Sequence, residues 1–234
     1  MTDTSQSIPE ARDPSPSIQA ARLPAPRRSL RRGYAGLPKR GLDLGGALIL
    51  GSLFLPLMLI LAALVRAGGP QAIFGHERIG RDGRRFRCLK FRTMVPDAEA
   101  RLAELLARDP DARAQWDRAR KLDRDPRITR LGGFLRRTSL DELPQLWNVL
   151  RGEMSLVGPR PVTADELGRY GDCLAAYLSL RPGLTGPWQV NGRNDISYAE
   201  RVRMDHDYAQ RLSLGADLAI LARTVLVVLG ATGR

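Results

Sequence analysis

The sequence predicts an α+β protein: one mainly helical single domain with a small antiparallel β-hairpin, behind an N-terminal re-entrant, helix-break-helix membrane segment. Three observations predict it. Leu44 to Val65 is a run of 22 residues without a charge, two β-leaning runs are joined by Arg81-Asp82-Gly83, and apolar residues at helical spacing recur through much of the remaining chain. A chain of 234 residues carries one core with appendages. With 43% apolar residues, disorder of the whole is excluded.

In chain order, residues 1–38 hold six prolines among Ser, Ala and Arg and read as a flexible tail dispensable for folding. Residues 39–67 form the membrane segment. Its 22 uncharged residues would reach about 33 Å as a helix, enough for the hydrocarbon core of a bilayer. Pro56 near its middle removes a backbone donor and predicts a kink or break. Basic residues flank both ends (Lys39 and Arg40 before, Arg66 after), so both ends are expected on one side of the membrane.

Residues 68–234 form the remaining domain. Gln71 to Ile79 and Arg84 to Met94 are the hairpin strands, with Asp-Gly as turn signal. Pro96 opens a helix, and Asp109-Pro110 ends it and caps the next. Leu143, Leu146, Trp147 and Leu150 keep helical spacing up to Gly152, which predicts an amphipathic helix starting at Ser139 or Asp141. Leu214 to Leu229 is apolar but interrupted by Asp217 and Arg223, and reads as an interfacial C-terminal helix.

Charge and composition narrow the chemistry. The 37 basic and 25 acidic side chains give a net charge of +12, and all of the excess lies before residue 138. Such a charge invites nucleic acid as partner. Aromatics at 6% and the lack of any zinc-finger or RNP-like pattern argue against it. Residues 78–92 carry seven basic side chains and one acid beside the membrane run, which fits anionic headgroups or phosphates. Cys88 and Cys173 have neither metal-ligand nor disulfide spacing. With His76 and His206 the only histidines, a His-rich zinc site or a Ser-His-Asp relay is disfavoured, and no phosphate-loop motif occurs. Catalysis would rest on Asp, Glu, Arg and Lys.

Those residues concentrate between Arg136 and Arg160. Ser139 and Glu142 have capping-box spacing, and acidic charge suits a helix start. Pro144 counts against a helix capped at Ser139, since it would lose a hydrogen bond there. Two carboxylates, Asp141 and Glu142, directly after two guanidiniums, Arg136 and Arg137, suit phosphate chemistry. The arginines would hold phosphate oxygens while a carboxylate binds Mg2+ or acts as nucleophile. Gly158-Pro-Arg160-Pro fixes one more arginine in a stiff loop. Asp123-Arg-Asp125 and Asp205-His-Asp207 also fit the D-x-D pattern of metal-dependent nucleotide-sugar glycosyltransferases.

The run Thr138-Ser-Leu-Asp-Glu-Leu-Pro-Gln-Leu-Trp-Asn-Val-Leu-Arg-Gly-Glu-Met-Ser-Leu-Val-Gly-Pro-Arg-Pro161 resembles the signature of the bacterial sugar transferases, the monotopic phosphoglycosyl transferases. So do Lys39-Arg-Gly-Leu-Asp43, Lys90-Phe-Arg-Thr-Met94, Asp125-Pro-Arg-Ile-Thr129, Arg181-Pro-Gly-Leu-Thr-Gly186 and Gln189-Val-Asn-Gly-Arg-Asn194. The resemblance covers roughly residues 38–230. It implies transfer of sugar-1-phosphate from a UDP-sugar to undecaprenyl phosphate at the cytoplasmic face of the bacterial inner membrane, with release of UMP.

The resemblance further implies that Asp141 attacks the β-phosphate to form a covalent phosphosugar intermediate. Glu142 would help hold Mg2+, so that both acids are metal ligands, and Arg136 and Arg160 would bind phosphate. Arg137, Lys90 and Arg92 complete the expected phosphate-binding set. The pattern is that of the short form with a Pro/Arg-rich tail, with room for a homodimer. Leu55-Pro56 departs from the Ser-Pro common at the helix break, and Arg211 to Leu218 lacks the tryptophans common there. The other readings are the D-x-D glycosyltransferase and a non-enzymatic basic membrane adaptor.

Overall fold

The computed structural model describes residues 33–119, 122–191 and 196–230; all but the end of the expected tail and the Gly192-Arg193-Asn194 end of the last motif lie outside them. The first element is α1 (Leu37–Ala67), with Pro38 in its first turn, where a missing N–H costs nothing. The expected break at Pro56 is realised as one continuous helix containing Pro56. One proline deletes a single hydrogen bond, and turns laddered on both sides of it keep the segment helical.

One stripe of α1 rests on the domain: Asp43, Ala47, Leu61 and Val65 are buried, with Leu50, Leu57 and Met58 partly so. The rest of its circumference is apolar and open, exposing Leu48, Ile49, Leu53, Leu55, Leu59, Ile60 and Leu64. Each such side chain gains about 1.5–3 kcal/mol on leaving water, so together they represent on the order of 10 kcal/mol that an aqueous setting leaves unmet. With a mean hydropathy of 2.7 in its most apolar stretch, α1 is long and apolar enough to cross a membrane.

The hairpin is as expected: β1 (Ile73–Ile79) pairs antiparallel with β2 (Arg85–Phe91), in a register that sets Phe74 opposite Lys90, His76 opposite Cys88 and Arg78 opposite Phe86. Asp82 and Gly83 both take positive φ in the turn, the conformation for which an Asp-Gly pair is suited. Helices α2 (Ala98–Arg108) and α3 (Pro110–Ala119) come next, and the Asp109 carboxylate accepts from the amides of Asp111 and Ala112 as the expected cap. They lead to α4 (Arg130–Thr138) and α5 (Gln145–Arg151).

A second pair of strands escaped the sequence pattern. In it β3 (Ser155–Val157) and β4 (Gly183–Thr185) lie parallel. Three-residue strands are too short to show an alternation. Beyond β3 lie α6 (Leu174–Ser179), α7 (Pro187–Val190), α8 (Tyr198–Gln210) and α9 (Leu214–Leu229). The main core gathers Phe86, Cys88, Leu146, Val149, Met154, Leu156, Tyr208 and Ile220 from the hairpin, α5, β3 and the residue before it, α8 and α9. A smaller core holds Ile79, Val162, Tyr170, Tyr177 and Val202. Both cysteines behave as small apolar residues in these clusters.

Candidate active site

The acids do not sit on a helix. Helix α4 ends at Thr138, Ser139 adopts a left-handed conformation with φ of 58°, and Leu140–Glu142 form a single 3-10 turn before Pro144 leads into α5. The capping box that the Ser139 and Glu142 spacing allowed is therefore not made: the Ser139 side chain makes no cap hydrogen bond, and the Glu142 carboxylate turns to Lys90 instead. Pro144 decides this, since α5 starts only where its missing donor does no harm. Trp147, expected on the buried stripe, is 52% exposed, while Gln145 and Asn148 point inward. The Asn148 amide ties α5 to β2 by accepting from the Leu89 amide and donating to the Arg87 carbonyl.

This turn holds Asp141 against the end of β2. Lys90 Nζ donates to Glu142 Oε1 at 2.6 Å and stands 3.8 Å from Asp141 Oδ2. Asp141 is only 7% exposed, whereas Glu142 is half-buried. Burial, reinforced by the neighbouring Glu142 charge, pushes the Asp141 carboxyl up to about 6, and Lys90 and Arg136 only partly oppose it. Burial alone would lower the Lys90 ammonium, but Glu142 and Asp141 outweigh it and hold it above its ordinary value. Such a carboxylate is poorly stabilised yet largely ionised near neutral pH, a condition suited to a nucleophile.

Arg136 approaches from α4. Its Nε donates to Thr93 Oγ1 at 2.8 Å, and its guanidinium lies within electrostatic reach of Asp141. The α4 backbone can come this close because Gly132 packs on the Thr93 main chain, where a Cβ would collide. Arg137, one residue on, is exposed. Arg92 donates to the Val65 carbonyl at the end of α1, at 2.9 Å.

Arg160 belongs to a neighbouring cluster, bonded to Glu166 at 2.7 Å and lying over the Trp188 ring. Its loop is held by main-chain contact among Gly158, Gly183 and Gly186, positions where any Cβ would strike backbone. The structure thus gathers Lys90, Arg136, Asp141 and Glu142 at one point, sets Arg160 apart and turns Arg137 and Arg92 elsewhere.

One acid of each D-x-D candidate is already engaged. Arg127 grips the Asp125 carboxylate through two nitrogens, at 2.8 and 2.6 Å, and Asp205 is buried and accepts from the Tyr170 hydroxyl at 2.9 Å. Sequence reasoning also missed Arg78 and Glu166, which lie in the Arg160 cluster, and the buried pair of Lys39 and Asp217 at 2.6 Å. The Lys39 and Asp43 spacing at the head of an apolar run was the available signal for the last of these.

A buried carboxylate of raised proton affinity thus stands between a lysine and an arginine, in a domain that carries a long apolar helix. The family model for bacterial sugar transferases matches residues 34–231, and the chain belongs to that family. It is 56% identical over 195 residues to the UDP-galactose-lipid carrier transferase of Erwinia amylovora, covering 83% of this chain and 41% of that protein. It is 51% identical over 195 residues to the undecaprenyl-phosphate galactose phosphotransferase of Salmonella typhimurium, with the same two coverages. The chain thus spans 41% of the length of these relatives. The exopolysaccharide production protein ExoY of Rhizobium meliloti is 50% identical over 198 residues, with 84% of this chain and 88% of that protein aligned.

Proposed function

We propose that this chain transfers sugar-1-phosphate from a UDP-sugar to undecaprenyl phosphate, releasing UMP, at the cytoplasmic face of the bacterial inner membrane, as an initiating step of exopolysaccharide or other glycoconjugate synthesis. The observation that carries the reading is Asp141, a buried carboxylate with a raised proton affinity, faced by Lys90 and Arg136. The names of its relatives support the substrate classes.

In the first step an Asp141 oxygen attacks the β-phosphorus. An oxygen–phosphorus bond forms to the carboxylate, the bond to the UMP oxygen breaks, and the electron pair leaves with UMP. In the second step an oxygen of the lipid phosphate attacks the same phosphorus and the carboxylate departs. Attack of anion on anion needs positive charge fixed beforehand, and Lys90 and Arg136 supply it. Lys90 also keeps Asp141 ionised.

Asp141 and Glu142 fit Mg2+: two carboxylates converge on one cationic point, which the Lys90 ammonium marks in this structure, and Mg2+ is commonly held by one or two carboxylates plus substrate phosphates. When bound it would neutralise diphosphate charge.

Both ends of α1 rest on the same domain, which supports re-entry over spanning. Near its start, Arg40 donates to the Val149 and Leu150 carbonyls, and Asp43 accepts from Ser155 Oγ and the Leu156 amide. Near its end, Leu61 and Val65 pack on Phe91 and Leu135. A helix seated in this way would lie in one leaflet, its apolar outer face among acyl chains and the dyad at headgroup level. The exposed Leu214, Leu218, Val225 and Leu226 of α9 support a second contact of this kind.

The test is incubation of the purified chain with UDP-sugar, Mg2+ and undecaprenyl phosphate. UMP release and an adduct of sugar-phosphate mass on Asp141 are expected, and UDP release would instead mark a direct glycosyltransferase. Relatives are named for galactose and for glucose, so UDP-galactose and UDP-glucose are the first donors to screen. Cysteines at positions 36 and 70 labelled from opposite sides of the membrane would overturn re-entry.

A further inference from the structure

Beside the dyad, on the same face of the hairpin, lies a second cationic cluster. Lys90 and Arg78 share that face, with the His76–Cys88 pair between them, and Arg78 lies about 13 Å further along the strand. His76, between them on that face, is exposed, so the two clusters border one surface.

Arg78 and Arg160 are yoked by one carboxylate. Glu166 Oε1 accepts from Arg160 at 2.7 Å and Oε2 from Arg78 at 3.3 Å. Glu166 is itself fixed, because Oε2 also accepts from the Thr163 amide at 2.9 Å in a capping box. Around them Arg201 lies over Trp188, at 4.8 Å, and Arg169 over Tyr198, at 4.9 Å. Of these four guanidiniums, those of Arg78 and Arg160 bond Glu166 directly. Burial first, and repulsion by Arg160 second, lower the Arg78 proton affinity below that of a free arginine. Among the described residues each of the two donates one side-chain hydrogen bond, to Glu166, out of the five N–H groups a guanidinium carries.

We propose that Arg78 and Arg160, spaced by Glu166, bind the nucleoside-side phosphate of the donor, with Arg78 a binding residue and Glu166 a positioning residue. The inference rests on the phosphoglycosyl transferase reading above. When the β-phosphorus moves to Asp141, the electron pair of the broken bond becomes negative charge on the UMP phosphate. Two guanidiniums set further along the hairpin face from the nucleophile meet that charge as it develops.

The test is binding of UMP to the full chain in nanodiscs by titration calorimetry, which needs no turnover. Arg78→Gln should weaken UMP binding about tenfold or more, the loss of one charge-assisted contact, and Arg78→Lys should recover part of it. Glu166→Gln keeps the cap, since Gln serves in a capping box, but unties the arginines. It should weaken UMP binding, whereas simple removal of a negative charge would tighten it. The thermal midpoints should stay within about 2 °C of the parent. Arg108→Gln, on exposed α2, should bind as the parent does.

Equal UMP affinity in Arg78→Gln and the parent overturns the Arg78 assignment, and tighter binding in Glu166→Gln overturns the positioning role. A parent chain that binds no UMP overturns the phosphoglycosyl transferase reading itself.

Discussion

Two buried aspartates, each facing a lysine, have opposite surroundings. Asp217 on α9 is 0% exposed and fully partnered: Lys39 and Tyr34 donate to one oxygen at 2.6 and 2.7 Å, and Tyr208 donates to the other at 2.6 Å. Asp141 is nearly as buried, yet its lysine stands at 3.8 Å and gives its short bond to Glu142. A carboxylate given three donors becomes a strut, here tying the start of α1 to α9 and, through the Tyr208 hydroxyl, to the β3 carbonyl of Val157. A carboxylate denied them keeps unspent lone pairs and a raised proton affinity. Partner count, more than burial, separates these two acids.

The sharpest way to break this comparison is Asp141→Asn. UMP release and the covalent adduct should vanish, a loss of at least about 10⁴-fold in a nucleophile-dependent reaction. Stability should move the other way. The folded-state value of about 6 lies above the ordinary 3.8, so the folded state holds the proton more tightly and stability falls as pH rises between these values. Near pH 7.5 the neutral amide removes that cost, and the variant should melt at or above the parent; a drop of several degrees would contradict it.

Asp217→Ala should do the reverse. It leaves the buried Lys39 ammonium only Asp43, at 3.9 Å, in place of its 2.6 Å partner, at a cost of about 3 kcal/mol in thermal or denaturant unfolding, while the folded fraction keeps its pH profile.

Lys90→Met should lower the turnover rate by about 10²-fold, as expected for loss of one preorganised charge. It should also move the acid limb of the rate profile above about 6, because Lys90 is the leading influence that holds Asp141 down. An unmoved limb would assign that limb to another group. The smallest effect belongs to Tyr208→Phe. Removing one of three donors to Asp217 should cost about 1 kcal/mol of stability and leave the pH profile unchanged.

Legibility tracked the range of the interactions. The hairpin could be read because Asp82-Gly83 states its own turn, and the Asp109 cap because it is closed within three residues. The dyad was legible as two acids after two arginines, but its geometry was not. Arg136 and Arg137 are indistinguishable in sequence, and only the packing of Gly132 on Thr93 decides which of them faces Asp141. Glu142 looked like a cap because the competing partner, Lys90, is distant in sequence.

By itself the sequence determined which segments are apolar, where the chain turns and where acids and arginines accumulate, since each depends on side chains within a turn or two of one another. Tertiary structure decided the rest. It carried α1 through Pro56, made Asp217 a strut, left Asp141 buried with a raised proton affinity, and joined Arg78 to Arg160 through Glu166. The physical reason is that a carboxylate's character is set by the donors and dielectric around it, and folding supplies both from residues far away in the chain.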